Sequence, residues 1–325
     1  MTKRAVFGAA LCACAALIAP QAMAQADAYP AKPIRVIVPF AAGGPADVIA
    51  REMAQSLGKD LGQSLVVENM GGGAGVPALN TVARAPADGH TLLFAASGNV
   101  VIQPLLAKNR VDILTQLAPV GMVTTSPHVL VVSSKLPVRT VKELTDYAKA
   151  HPGAVNFASA GVGGLAHLGT ELFKRAAGID ARHVPYKGTS QAMTDLASGE
   201  VQAMFSSLPS MKGMIDKGTI RVVGVTGPSP SPAYKDIPLI GKAGVPGFEY
   251  TTWYALYAPA GTPAAVIARL GKALSGLAAD KAFDDRLQAQ GVDLHVTSAK
   301  ELGERTRKES AGWDKVIRES GIELN

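Results

Sequence analysis

Residues 33 to 51 read PIRVIVPFAAGGPADVIAR, and the order of residue types in this stretch decides the fold. Ile34, Val36 and Val38 belong to a near-continuous apolar run of strand length. It breaks at Pro39, passes through Gly43 and Gly44, and re-enters helical spacing at Val48, Ile49 and Met53. The stretch is therefore a strand, a glycine loop and a helix. The two glycines let the backbone turn tightly and approach a ligand, and Pro45 suits the first helical turn. The free N–H groups there face outward beside the positive end of the helix dipole. Such a terminus suits an anion. Any β-to-α turn of an α/β protein shares this look, so the stretch alone leaves anion site and plain turn level.

Working outward, the same unit returns. Leu65 to Glu68 is a strand running into Asn69-Met70-Gly71-Gly72-Gly73-Ala74-Gly75, and a helix follows from Val76 to Arg84. Ala87-Asp88-Gly89 turns the chain into a strand from Thr91 to Ala95, whose carboxyl end carries Ser97-Gly98-Asn99. Strands alternating with helices predict a mostly parallel sheet, with ligands gathering at the carboxyl ends of its strands.

Two more strands, Val120 to Thr124 and Val129 to Ser133, flank Ser126-Pro127, where a second lobe begins. Thr140-Val141-Lys142-Glu143 is a capping box opening a helix to about Ala150. The strand Val155 to Ala158 leads into Ser159-Ala160-Gly161-Val162-Gly163-Gly164, a further glycine loop before a helix from Leu165 to Ala177. Val184-Pro185-Tyr186-Lys187-Gly188 ends the next strand, with Thr189 or Ser190 as N-cap of the helix that follows. Val201 to Phe205 and Ile220 to Thr226 add strands. After a Pro- and Ser-rich excursion over 227–238, a strand returns from Trp253 to Ala258. Helices then start at Thr262-Pro263, at Asp280, and at a second capping box, Ser298 to Glu301. A chain that leaves one lobe, builds another and comes back implies two crossovers and a hinged cleft. The expected division is 25–126 with 252–325 for lobe 1 and 127–251 for lobe 2.

Met1 to Ala24 reads as a secretory signal. Lys3 and Arg4 form its basic start, Ala5 to Ala19 is apolar, and Ala22-Met23-Ala24 is a small-x-small cleavage site. The apolar run is shorter than the roughly 20 residues a membrane span needs. Cys14 gives a minor lipoprotein alternative. Both cysteines, Cys12 and Cys14, lie in the signal, so the exported chain carries no disulfide, thiolate nucleophile or cysteine metal site. Removing Lys3 and Arg4 takes the formal charge from +6 to +4. With no basic run or aromatic interleaving behind it, that excess argues against nucleic acid and leaves small anions as partners. No HExxH, GxSxG, GxxxxGK[ST] or GxGxxG spacing occurs. Ser97 and Ser159 lie at strand ends, as hydrolase serines do, but the sequence assigns them no base. Neither a cofactor nor a metal is expected.

Across essentially the whole mature length, the chain resembles the Bug-type, or TctC-like, extracytoplasmic solute receptors of tripartite tricarboxylate transporters. The residues that carry the resemblance are Tyr29-Pro30, Lys32 to Arg35, Val38-Pro39-Phe40, Gly43-Gly44-Pro45 with Asp47 and Arg51, and Val67-Glu68-Asn69. Asp88-Gly89 with Thr91, Val184 to Gly188, Trp253, and Ala258 to Pro263 continue it. The resemblance implies a type II periplasmic binding protein fold, two α/β lobes joined by two crossovers and closing on a small carboxylated solute. In the family, backbone amides and bridging waters of the first β-to-α loop and of the facing loop hold a ligand carboxylate.

Carried onto this sequence, those loops implicate Phe40, Ala42, Gly43, Gly44, Ala46 and Asp47 on one side. Ser159, Gly161, Gly163, Gly164 and His167 face them, with Ser97, Gly98, Tyr186, Lys187, Gly188 and Ser206 flanking. Three departures bear on the ligand's identity. Ala46 stands where the family often has Ser or Thr, Gly164 where a hydroxyl is common, and Ser206 where many members have Asp. Asp47 either caps its own helix or orients ligand, and His167 reads first as a satisfied structural histidine. Lys187 brings charge to the cleft or is an ordinary loop lysine; Phe40 and Tyr186 wall the ligand or pack. The expected function is capture of a di- or tricarboxylate, acidic amino acid or aromatic carboxylate in the periplasm, by a monomer that delivers it to the transporter's membrane subunits. A receptor feeding a two-component sensor kinase, and more remotely a periplasmic hydrolase, are the alternatives.

Overall fold

A computed structural model describes residues 29–72, 75–106, 112–186, 189–227 and 234–320. The signal segment and the Lys187-Gly188 pair fall outside them. The first strand, β1 (Ile34–Val38), is fully buried at Ile34, Val36, Ile37 and Val38. Only Arg35 turns outward, forking onto both carboxylate oxygens of Glu68 at 2.8 Å. A strand buried on both faces belongs at the centre of a sheet covered by helices.

That sheet takes β2 (Leu65–Asn69), β3 (Thr91–Ala96), β4 (Leu117–Ser126), β10 (Thr252–Pro259) and β11 (Asp293–Leu294), in the order β11-β4-β10-β3-β1-β2. Helices α1 (Pro45–Leu61), α2 (Val76–Ala83), α7 (Ala264–Gly276), α8 (Lys281–Gln288) and α9 (Ala299–Ser320) accompany it. The second sheet has the order β7-β6-β8-β5-β9, from β5 (Val129–Ser133), β6 (Asn156–Ser159), β7 (Arg182–Pro185), β8 (Ala203–Ser206) and β9 (Ile220–Val225). Its helices are α3 (Val141–Ala150), α4 (Leu165–Ala177), α5 (Thr189–Ser198) and α6 (Leu208–Asp216). These are the two lobes, and the chain passes between them after β4 and again between β9 and β10.

The sheets are mixed rather than mostly parallel. β1 runs parallel to β2 and β3, and β6 to β7 and β8, but β10 and β5 are antiparallel to both their neighbours. The crossovers require this. The parallel strands run toward the other lobe, so a strand entering from that lobe runs the opposite way. β5 and β10 are those two entering strands.

Helix starts follow local chemistry. Thr140 Oγ1 accepts the Glu143 N–H at 3.1 Å, although the Glu143 carboxylate returns to Arg139 N–H, one residue earlier than a capping box requires. The second box closes as expected, Ser298 N–H donating to Glu301 Oε2 at 2.8 Å and Glu301 N–H to Ser298 Oγ at 3.3 Å. Helix α6 had no counterpart in the sequence reading, and Pro209 and Gly213 explain why: both depress helical propensity. An aromatic cluster of Phe157, Phe173, Phe205, Phe248 and Tyr250 fills lobe 2 and meets Trp313 of α9. One apolar core therefore runs under both lobes, and an Arg175–Glu319 ion pair joins α4 to α9.

Candidate functional site

The two glycine loops have the same backbone. Gly43 has φ +81° and Gly163 φ +74°, values that favour glycine. The N-caps Gly44 (φ −82°, ψ 170°) and Gly164 (φ −76°, ψ 162°) are extended alike. In each loop the third helical residue reaches back four positions. Asp47 Oδ2 accepts the Gly43 N–H at 2.9 Å, and His167 Nδ1 accepts the Gly163 N–H at 3.0 Å. GGPAD and GGLAH are one structural device with a different acceptor in each lobe.

In lobe 1 the acceptor is an anion held in place. Arg51 Nε lies 2.9 Å from Asp47 Oδ1, while Arg51 Nη2 donates to Asn69 Oδ1 at 3.0 Å and Asn69 Nδ2 to the Phe40 carbonyl at 3.2 Å. The Arg51 guanidinium holds Asp47 below the usual carboxylate range against the cost of burial, and the Gly43 amide adds to it. In lobe 2 the acceptor is a neutral ring. Because Nδ1 accepts from an amide, the proton of His167 sits on Nε2. Burial lowers its pKa, partly offset by Glu171. The ring stacks on His183 at 3.7 Å, and His183 Nε2 lies 2.6 Å from Ser159 Oγ. Ser159 Oγ also donates to the Gly161 carbonyl at 2.8 Å, so His183 is the donor to Ser159 and not its base. Burial, then His167 and Lys174, push the His183 pKa down to about 3.

With Gly43 and Gly163 amides engaged, the donors left are those at the helix starts. The first intrahelical bonds run from Val48 N–H to Gly44 O at 3.1 Å and from Leu168 N–H to Gly164 O at 3.0 Å. The amides of Ala46 and Asp47, and of Leu165, Ala166 and His167, therefore lack helical acceptors, and Pro45 has no N–H to offer.

Between the lobes lies a cavity of about 500 Å³. It meets the glycine loops at Pro45, Ala160 and Ala166, and runs on past Thr189 and a hydroxyl group formed by Ser206, Ser207 and Ser210. Ser206 Oγ and Ser207 Oγ each lie 3.1 Å from Ser210 Oγ. Ser126, His128, Thr252, Tyr254, Gln290 and Val292 close the opposite side. Among the described lining residues none carries a formal charge. Burial pushes His128 down to about 4, so it too is neutral. Its Nδ1 lies 3.1 Å from Tyr250 OH and its Nε2 3.3 Å from Thr252 Oγ1, which ties the first crossover to the second.

Of the residues expected at the site, Ser206 lines this cavity. Gly44, Ala46, Ser159, Gly161 and His167 are the immediate chain neighbours of its lining residues Pro45, Ala160 and Ala166, and Gly43, Asp47, Gly163 and Gly164 lie two or three positions from them. Phe40 packs on the lobe 1 core, Ala42 is exposed, and Tyr186 OH donates to Asp195 at 2.8 Å. Ser97 is buried beside Gly98, its hydroxyl without a protein partner. Lys187 and Gly188 lie outside the described residues. His128, Tyr254, Gln290 and the Ser207–Ser210 pair were missed. Only Ser207, an N-cap type followed by Leu208-Pro209 at a helix start, carried a local signal. Among the described residues there is no helix long and apolar enough to cross a membrane and no cluster of three or more metal-ligating side chains.

The sequence profile described as the tripartite tricarboxylate transporter family receptor, TctC, matches residues 49–322. Protein BugT of Bordetella pertussis is 35% identical over 302 residues, spanning 92% of this chain and 93% of BugT. Among solved structures, R. palustris Rpa4515 with adipate superposes with a TM-score of 0.78 at 32% identity, over 91% of this chain and 99% of that one. MatC of Rhodopseudomonas palustris with bound malate gives 0.74 at 29%, over 89% and 100%.

Proposed function

The chain belongs to the tripartite tricarboxylate transporter receptor family, the TctC and Bug-type periplasmic solute-binding receptors, and we propose that it captures a small organic carboxylate between its lobes for delivery to membrane transport subunits. One observation carries this reading. Two glycine loops of closely similar backbone geometry, one from each lobe, carry helix N-termini that meet one cavity at Pro45 and at Ala160 and Ala166, and its described lining residues carry no formal charge. An anion gains from both dipoles there, and each charge-assisted amide bond contributes roughly 1.5–3 kcal/mol. Asp47 and His167 act as positioning residues that set the loops, and Ala46, Asp47, Leu165 and Ala166 supply amides. Gly44, Gly164, Ser97 and Gly98 form the surround, and Ser206 with Ser207 and Ser210 meets the far end of the ligand. That adipate and malate occupy two relatives supports a carboxylate of similar size.

The protonation of the Ser159–His183 pair speaks against turnover. The serine proton is committed to a carbonyl, and the histidine is too weak a base to remove it near neutral pH. Lobe 1 spans 25–126 and 252–325, and lobe 2 spans 127–251. A thermal-shift panel of C4 to C6 di- and tricarboxylates, acidic amino acids and aromatic carboxylates tests the assignment. A ligand at about a hundred times its Kd adds about 2.7 kcal/mol, a shift of roughly 2–4 °C for a protein of this size. Stabilisation by an uncharged sugar or an amine, with every carboxylate failing, would overturn it.

A further inference from the structure

The ligand cavity has a counterpart on the other side of the hinge. Thr252 faces the ligand cavity, whereas its neighbours Tyr250 and Thr251 line a second cavity of about 620 Å³. Its floor is apolar and aromatic, formed by Leu172 of α4 and by Trp313 and Val316 of α9. The Tyr250 and Trp313 rings meet edge to face at 6.1 Å. Its rim is charged. Arg305 and Glu309 are occupied with each other at 2.7 Å, Arg305 also with Thr251 Oγ1 and Glu309 with the Trp253 indole. Among the described lining residues, Glu249, Glu301 and Glu304 then face Lys308 alone. Outside it, Lys300 approaches Glu304 only to 4.0 Å, and Glu301 turns one oxygen to its capping box. Three carboxylates against one ammonium give this groove the opposite sign to the basic chain as a whole.

Gly312 adds an independent observation. It lies inside α9 on the groove wall, where glycine weakens a helix relative to alanine, yet a Cβ placed on it meets nothing within 4 Å. No neighbour packs against this position, so it has open space for a side chain. The two walls also belong to different lobes, α4 to lobe 2 and α9 to lobe 1. The groove lies opposite the cleft across the crossover segment. His128 lines the ligand cavity and holds Tyr250 OH at 3.1 Å, which joins the two cavities through the wall between them.

We propose that this groove is a second, regulatory site, which takes a small organic cation with an apolar body, an aryl- or alkylammonium, and couples its occupancy to lobe closure. The carboxylates receive the ammonium, and the Trp313 and Tyr250 rings receive the body and add cation–π attraction. A site with one wall on each lobe can favour one lobe arrangement when filled.

Phenethylammonium is the probe, titrated in the millimolar range against the chain expressed from Gln25 and followed by tryptophan fluorescence. The other tryptophan, Trp253, is fully buried but donates to the rim residue Glu309, so Trp313→Phe is needed to identify the source of the signal. The expected result is a saturable change that uncharged 2-phenylethanol does not give and that Trp313→Phe removes. Gly312→Leu fills the groove and should weaken binding by about an order of magnitude. Gly312→Ala, which helix propensity favours, is the milder probe should the larger side chain disturb folding.

Cys12 and Cys14, the only cysteines in the sequence, precede Gln25, so cysteines introduced at the exposed Val76 of lobe 1 and Val162 of lobe 2 can carry spin labels. Saturating phenethylammonium should shift the inter-label distance. Tyr250→Phe, which keeps the ring and removes the bond to His128, should keep the binding and lose the shift. An absent or unsaturable signal, an equal response to 2-phenylethanol, unchanged affinity in both Gly312 variants, or binding that leaves the inter-label distance unmoved would each overturn the proposal.

Discussion

Lowering the pH from 7.5 to 5.0 should cost the fold up to about 4 kcal/mol, the ceiling before solvent screening, through two half-buried histidines held in the neutral form. Burial pushes His128 down to about 4 and His183 down to about 3. In the unfolded chain each titrates near its ordinary value of about 6.5, so between that value and the folded one the unfolded state binds the extra proton. The stabilisation is therefore complete above about pH 6.5 and falls by about 1.4 kcal/mol per pH unit per histidine as the pH drops, until the folded value is reached. At pH 5 both folded values still lie below the solution pH. The loss is then up to about 2 kcal/mol for each group, however far below pH 5 those values lie. His167, lowered in the same direction, adds to the effect. Asp47, Glu68 and Asp280 do not, because carboxylates held below their ordinary range lose their contribution only as the pH falls below about 4. Urea unfolding followed by circular dichroism at the two pH values measures the difference. His128→Gln and His183→Gln should each flatten it by up to about 2 kcal/mol. A wild-type loss below about 1 kcal/mol, or two variants as pH-sensitive as the parent, would refute the buried neutral assignment.

Gly43→Val and Gly163→Val should each abolish ligand binding and keep the fold, because a β-branched residue at positive φ costs roughly 1–2 kcal/mol and moves the loop; calorimetric titration with circular dichroism separates the two effects, and undiminished affinity would remove the glycines from the site. Phe173→Ala deletes a fully buried ring from the aromatic cluster and should cost about 3–5 kcal/mol in urea unfolding. Small-angle scattering should report a smaller radius of gyration when a saturating ligand closes the lobes. An unchanged distance distribution would count against a large hinge motion.

Most of the fold was legible in local patterns, because β1, the glycine loops and the helix starts are each set by residues within a few positions. What escaped depends on the chain returning. Nothing local in Thr252 to Pro259 states its direction; that follows from entry out of the other lobe. At the site, the i and i+4 pairing of Gly43 with Asp47, and of Gly163 with His167, lies within reach of sequence reasoning. It resolves Asp47 as a loop-setting carboxylate and His167 as a neutral acceptor. His183, Tyr254 and Gln290 come from separate strands and segments, and their contributions depend on tertiary packing alone. The serine cluster after β8 was half legible, since Ser206 was named but the helix that brings Ser207 and Ser210 beside it was hidden by Pro209 and Gly213.

The most direct test of an amide-lined carboxylate site is calorimetric titration of the chain from Gln25 with the best acid of the panel and with its primary amide. The amide keeps size and shape and loses the charge. If two helix N-termini supply the recognition, the acid binds and the amide loses at least an order of magnitude in affinity, as removal of one charge-assisted bond of roughly 1.5–3 kcal/mol requires. Equal affinity for both would contradict the account.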